Sequence, residues 1–245
     1  MLLIDIGNSR IKAAEWRAGQ LVGWPTLLSR EQPDFSPWND CAAERAVERV
    51  IVSCVGADAA LESLRRFAFR TWGTTLELVR PMRMFAGFET AYREPQKLGV
   101  DRWLAALAAW REEEEAVCVV DLGTALTVDV VTRSGQHLGG LIAPGLELMR
   151  HSLTRGTAHL SSTGIGQVTG FADNTQDAIS LGCISAVVGV LLSTRRRLAA
   201  EMSDAEIRWV LTGGGAEVIA PHLDWPCRYD PELVLRGLMC FAGEQ

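Results

Sequence analysis

The sequence is short of the features that would mark a membrane, metal-cage or nucleic-acid protein. Its longer apolar stretches are interrupted by Asp or Gly before reaching 18 residues, so no membrane span is expected. The opening MLLIDIGNS has no basic leader and its apolar run stops at Asp5, which reads as a first strand rather than a signal peptide. The six cysteines (Cys41, Cys54, Cys118, Cys183, Cys227, Cys240) include no C-x-x-C pair. The four histidines (His137, His151, His159, His222) show no zinc spacing. A reduced, cytoplasmic chain with small core cysteines follows. Basic clusters are scarce too. Against a formal charge of −6, Arg195-Arg196-Arg197 is the one tight basic run, and it closes an apolar helical segment where cations suit the helix C-terminus. Nucleic-acid binding is not expected. Glu112–Glu115 points in successive directions on a helix and reads as a solvated exit. There is no disorder-like polar tract, and 48% hydrophobic residues suffice for two cores in 245 residues.

What the chain does have is a repeat. Residues 2–23 (LLIDIGNSRIKAAEWRAGQLVG) and 118–139 (CVVDLGTALTVDVVTRSGQHLG) align without a gap at an offset of about 116 residues. Asp5/Asp121, Gly7/Gly123, Arg17/Arg133, Gly19/Gly135, Gln20/Gln136 and Gly23/Gly139 are identical pairs. Each copy reads as a strand, an Asp-x-Gly turn, a second strand, a Gly-Gln turn and a third strand. Glycine lets backbone N–H groups approach an anion, hydroxyls donate to it, and a carboxylate holds its cation. In the first copy, Asp5-Ile6-Gly7-Asn8-Ser9-Arg10-Ile11-Lys12, the donors are Asn8 and Ser9, with Lys12 as a point charge. The second copy supplies Asp121, Gly123 and Thr124. Two such hairpins facing one another suit a nucleoside triphosphate, and two carboxylates at equivalent strand ends are costly unless a cation lies between them.

Further along, residues 29–40 form a Pro-rich connector, helices are expected over 42–49 and 59–71, and strands over 50–55 and 76–79. Residues 80–100 read as an irregular loop and 101–111 as a helix. After the second strand triplet come a helix over 146–154, a Gly/Ser/Thr-rich loop at 155–173, a long helix over 175–198 and a strand at 207–212. That last strand runs into Gly213-Gly214-Gly215, where a flat base or ribose can rest on bare backbone. The plan predicts an α/β protein of two related lobes, 1–115 and 116–245, with the ligand between them.

These elements resemble the superfamily of acetate kinase, sugar kinases, heat-shock protein 70 and actin. Tyr92-x-x-Pro95-x-x-Leu98-Gly99-x-Asp101-Arg102 is similar to the substrate motif of type III pantothenate kinases. Gly139-Gly140-Leu141-Ile142-Ala143-Pro144-Gly145 and Asn174-Thr175 match further elements of that family. The resemblance covers residues 2–216 and implies duplicated ribonuclease H-like (actin-like ATPase) lobes around a cleft. It implies that Asp5, Ile6, Gly7, Asn8, Ser9, Arg10, Ile11, Lys12 and Thr124 bind ATP. Tyr92, Gly99, Val100, Asp101, Arg102 and Thr175 would bind pantothenate, Thr175 from the neighbouring subunit of a homodimer. Asp101 would accept the hydroxyl proton, and Asp121 would hold a monovalent cation (potassium or ammonium) beside Mg²⁺. An ordinary Asp is a weak base, and Arg102 beside it is expected to weaken it further. Arg102 is expected on the pantothenate carboxylate or a phosphate oxygen, and Asp101 can serve as a helix N-cap as well. Three departures touch the site: Ser9 stands where the family has Thr, Ser161 follows Leu160 where proline is common, and Glu89-Thr90-Ala91 leads into Tyr92 where the family usually has Asn-Pro. Alternatives are a related small-alcohol or sugar kinase, or a nucleotide-binding transcriptional accessory protein like the Bvg accessory factor.

Overall fold

A computed structural model of the chain describes residues 1–43, 45–154, 170–202 and 207–243. The expected loop at 155–173 therefore lies, up to residue 169, outside the described residues. The first half holds β1 (Leu2–Ile6), β2 (Arg10–Arg17), β3 (Gln20–Gly23), β4 (Leu27–Leu28), α1 (Asn39–Ala43), β5 (Val50–Cys54), α2 (Asp58–Trp72), β6 (Leu76–Leu78), the hairpin β7 (Met84–Phe85) and β8 (Phe88–Glu89), and α3 (Val100–Glu113). The second half holds β9 (Ala116–Leu122), β10 (Ala125–Val131), β11 (His137–Pro144), α4 (Leu146–Thr154), α5 (Thr175–Glu201), β12 (Ile207–Thr212), α6 (Ala216–Ile219), β13 (Arg228–Tyr229) and α7 (Leu233–Gly243).

The two main sheets have the same plan. The first runs β3-β2-β1-β5-β6 and the second β11-β10-β9-β12-β13. In each, an antiparallel hairpin triplet leads to parallel strands at β1–β5–β6 or β9–β12–β13. Asp5 pairs with Ser53 across β1–β5, and Asp121 with Thr212 across β9–β12, so both carboxylates sit at matching strand ends. The gapless sequence repeat is corrected at one point. Ile6 pairs with Ile11 but Leu122 with Leu126, so the first turn is one residue longer than the second.

α3 lies between the sheets. From Val100 to Ala109 all its residues except Asp101 are buried, and a helix apolar almost all round can only be interior. One cluster joins Leu3, Ala14 and Ile51 of the first sheet to Val117, Val119 and Val210 of the second through α3 and α7. The C-terminal helix thus packs between both halves. Its Gly237 permits that, since a Cβ there would collide with the Leu104 carbonyl of α3.

Other expectations shift. Residues 45–49 are not helical, because Arg45 is drawn to Glu15 at 2.6 Å and Arg49 to Glu77 at 2.9 Å. The loop at 80–100 contains the β7–β8 hairpin and a 3-10 turn, Pro95–Lys97. The expectation of no apolar span needs qualifying: α5 is long and apolar enough, by length and composition, to cross a membrane. In this fold its Cys183, Ile184, Val187, Leu191 and Leu198 pack into the second core.

Candidate active site

The two Asp-x-Gly turns meet. The Ser9 hydroxyl lies 2.8 Å from that of Thr124, one from each half of the chain. The turns are shaped by backbone: Gly7 N–H donates to the Arg10 carbonyl at 3.0 Å, and a Cβ on Gly56 would stand 2.8 Å from the Gly7 carbonyl oxygen. Ile6 and Ile11 are fully buried in the first core, so they hold the turn rather than face a ligand. Asn8, Ser9 and Arg10 are exposed. Arg10 reaches across toward the glycine loop, its Nη1 lying 3.7 Å from where a Gly214 Cβ would be. Lys12 bridges to the second half as well, donating to the Pro231 carbonyl at 2.9 Å. Within the triple glycine the steric need is sharpest at the first position. Gly213 adopts φ +83°, and a side chain there would collide with the Asp121 carboxylate.

Three carboxylates converge behind these turns. Asp5 is pushed up to about 7, first by burial and then by the charge of Asp101. Asp121 is pushed up to about 6 by the same two causes in the same order. The Oδ1 atoms of both are buried without a hydrogen-bond partner. Orphaned acceptors of this kind suit a cation. Among the described residues no group of three or more His, Cys, Asp or Glu forms a ready metal cage. The fit is to an ion held by one or two carboxylates and completed by water and phosphate oxygens, as Mg²⁺ prefers.

Asp101 sits in the first turn of α3, whose N-cap position belongs to Gly99. Asp101 is therefore not the cap; its Oδ1 accepts the Arg102 N–H at 2.8 Å. Gly99 makes room for this, since a Cβ there would lie 2.6 Å from that oxygen. Burial raises Asp101 above the usual carboxylate range, outweighing Arg102. The expectation of a weakened base is thereby corrected. The reason is geometric: the Arg102 guanidinium turns away, with Nε 2.8 Å from Asp129 Oδ2 and Nη2 2.7 Å from Oδ1. Its Nη1 donates to the Tyr92 hydroxyl at 3.1 Å. Tyr92 and Arg102 are thus brought together, while Val100 is turned into the core. Thr175 is exposed at the start of α5, behind an Asn174 cap that accepts the Asp177 N–H at 3.0 Å.

Asp129, His137 and Thr90 were not read as site residues from the sequence. A signal existed: Asp129 interrupts the apolar half of ALTVDVV, and it pairs in register with Gly140 of the Gly-Gly pair.

The chain matches the family described as type III pantothenate kinase over residues 1–197. It belongs to that family. It is 39% identical to the type III pantothenate kinase of Alkalilimnicola ehrlichii, covering 99% of this chain and 98% of the other. It is 37% identical to that of Chromobacterium violaceum, covering 99% of each. Among solved structures it is similar to a Campylobacter jejuni protein described as of the Baf family of transcriptional activators (25% identity, TM-score 0.63, covering 100% of this chain and 98% of that one). An archaeal actin homolog in complex with ADP, at 10% identity and TM-score 0.51 over 100% of this chain and 99% of its own, shares the fold. The actin-like architecture of this type III pantothenate kinase family member accounts for the doubled sheet and the central α3.

Proposed function

We propose that this chain transfers the γ-phosphoryl group of ATP to the primary hydroxyl of pantothenate, giving ADP and 4′-phosphopantothenate, the first step toward coenzyme A. The observation that carries this is the meeting of the two turns at Ser9 and Thr124 over three buried carboxylates, beside the hydrogen-bonded Tyr92–Arg102 pair. The turns hold the phosphates through backbone N–H groups, Asn8, Ser9 and Thr124, while Gly213–Gly215 receives the adenosine. Mg²⁺ and a monovalent cation, held by Asp5 and Asp121, would neutralise phosphate charge. Asp101, with its raised pKa, orients the acceptor hydroxyl and takes its proton as the oxygen bonds to phosphorus and the bond to the β-phosphate oxygen breaks. Phosphoryl transfer passes through a loose transition state, so positioning and charge neutralisation supply most of the catalysis. Arg102 keeps two of its five N–H donors beyond its three bonds to Asp129 and Tyr92, enough to receive the pantothenate carboxylate.

The working unit in this reading is a cytoplasmic homodimer, with Thr175 lent to the partner's acceptor pocket. Support comes from exposed Leu138, Leu141 and Ile142 on β11, and from Ala178, Gly182, Ser185 and Gly189, all exposed along α5. The description of the Campylobacter neighbour favours a second, regulatory reading. The intact Tyr92-to-Arg102 motif supports the kinase. Coupled ADP release with purified protein decides between them. Turnover with pantothenate but not glycerol or hexoses is expected. Silence with pantothenate and turnover with a hexose would move the assignment to a sugar kinase, and silence with all would favour a regulator.

A further inference from the structure

Behind the acceptor pocket lies a buried chain of polar groups that the phosphoryl-transfer chemistry does not itself use. Asp129 of β10 accepts two bonds from Arg102, and its Oδ1 lies 2.9 Å from His137 Nε2. His137 Nδ1 is 3.3 Å from the Thr90 hydroxyl, which in turn accepts the Tyr92 N–H at 3.3 Å. Thr90, Asp129 and His137 are each at most 2% exposed. One hydrogen arrangement satisfies every member: Tyr92 N–H to Thr90 Oγ1, its hydroxyl proton to His137 Nδ1, and His137 Nε2–H to Asp129. The chain thus returns through Arg102 Nη1 to the Tyr92 hydroxyl and closes a ring.

The packing enforces it. The His137 ring lies nearly parallel to Phe88 at 6.0 Å and to Tyr92 at 6.3 Å. At Gly140, opposite Asp129, a Cβ would come within 2.7 Å of both Arg102 Nη2 and Asp129 Oδ1, so the Gly-Gly pair leaves space for the ion pair. The β7–β8 hairpin, which leads into Thr90 and Tyr92, is fastened to the second half where Glu89 N–H donates to the Gly135 carbonyl at 2.9 Å. A buried ion pair with a third polar partner is a poor way to gain stability, because desolvation offsets most of the attraction. Its yield is a fixed geometry.

We propose that Asp129 and His137 are positioning residues for the acceptor substrate, fixing the Arg102 guanidinium and the Tyr92 ring so that both face one carboxylate-bearing alcohol. They act through Arg102 and Tyr92 and touch no reacting atom. This rests on the pantothenate kinase reading above, so the test has one arm that depends on turnover and one that does not.

His137→Leu removes the link to Asp129 and Thr90, whereas His137→Gln keeps an amide N–H for Asp129. In steady-state kinetics His137→Leu is expected to raise KM for pantothenate about tenfold, the weight of one buried hydrogen bond, with kcat and KM for ATP within about twofold. His137→Gln recovers most of that loss. In the second arm, without substrate, the Arg102 Nε–H resonance is slow to exchange in the wild type and in His137→Gln, and exchange-broadened in His137→Leu. The positioning role is overturned if the Arg102 resonance is unmoved in His137→Leu, or if the two KM values rise together. A wild type inert toward pantothenate overturns the choice of acceptor, and the resonance arm then still decides the positioning. Asp129→Asn, which uncovers a buried guanidinium, is a harsher variant for the same resonance, expected to broaden it at least as much if the protein folds.

Discussion

The two halves use one sheet plan for different ends. Each puts a carboxylate at the end of its central strand, Asp5 or Asp121, and each turns over a glycine. In the first half the turn is a residue longer, and Arg10 and Lys12 of the strand that follows both reach toward the second half. In the second half the turn is tighter, and the following strand carries a buried acid, Asp129, that pairs with Arg102. Duplication therefore supplied a symmetric floor of carboxylates, and divergence made one wall cationic and the other an anchor for Arg102. Asp101 belongs to neither repeat. It comes from the helix between them, where both sheets can hold it.

That asymmetry gives the largest expected effect. Asp101→Asn keeps the shape and removes the proposed proton acceptor, so kcat should fall by about 10²–10⁴ with little change in ATP affinity. Stopped-assay kinetics with isotope-labelled ATP would measure it. Near-normal turnover would return the base role to one of the repeated carboxylates and erase the distinction between floor and helix.

The floor itself is tested by pH. Asp5 at about 7 and Asp121 at about 6 lie above the ordinary carboxylate value of 3.8, so the folded chain binds more protons than the unfolded one across that interval. Their contribution to stability is fully present below about 4 and is lost as pH rises through 6 and 7, at up to about 1.4 kcal/mol per unit for each group. In chelated, potassium-free buffer, Asp5→Asn and Asp121→Asn should therefore each stabilise the protein at pH 8, and do so less at pH 5. Adding Mg²⁺ with potassium should narrow the gap between wild type and variants. Urea titrations at pH 5 and pH 8 would show it, and variants no more stable than wild type at pH 8 would show that neither carboxylate is strained in the folded chain.

Much of this was legible in the chain because its signals are local. An Asp-x-Gly turn between alternating strands needs no tertiary information, and its recurrence fixed both sheets and their central strands. The strand at Ile207–Thr212 and the helix at Leu146–Thr154 were read to the residue for the same reason. Tertiary pairing was not legible. Nothing in the spacing of Arg102, Asp129 and His137 shows that they meet, since β10 must first turn Asp129 under α3. The helix expected at 42–49 lies instead at Asn39–Ala43, and the irregular stretch after it carries Arg45 and Arg49 to distant acidic partners, Glu15 and Glu77. The connector at 29–40, silent as sequence, contributes Phe35 and Trp38 to the aromatic wall of the first half.

That wall supplies the last contrast and the smallest effect. In the first half Trp24, Phe35, Trp38, Phe67 and Trp72 pack edge to face and stacked, with centroids such as Phe35–Phe67 at 5.0 Å, and seal the sheet within one chain. Its outer strand β3 is four residues long and shows Val22 at 40% exposure. The counterpart β11 is an edge strand of eight residues with Ile142 65% exposed, and long apolar edges are ordinarily covered. In the same half α5 leaves open space over Gly182 and Gly189, room for close approach of a second helix. If a second copy covers this face, Ile142→Glu should convert a sedimenting dimer to monomer without lowering the melting temperature of the isolated chain. Loss of the partner's Thr175 would then raise KM for pantothenate about tenfold, one polar contact's worth. Val22→Glu, the same change on the matching strand of the first half, should leave both readings unaltered. A dimer that survives Ile142→Glu, or one that Val22→Glu disrupts, would place the contact on another face and leave β11 an unprotected edge.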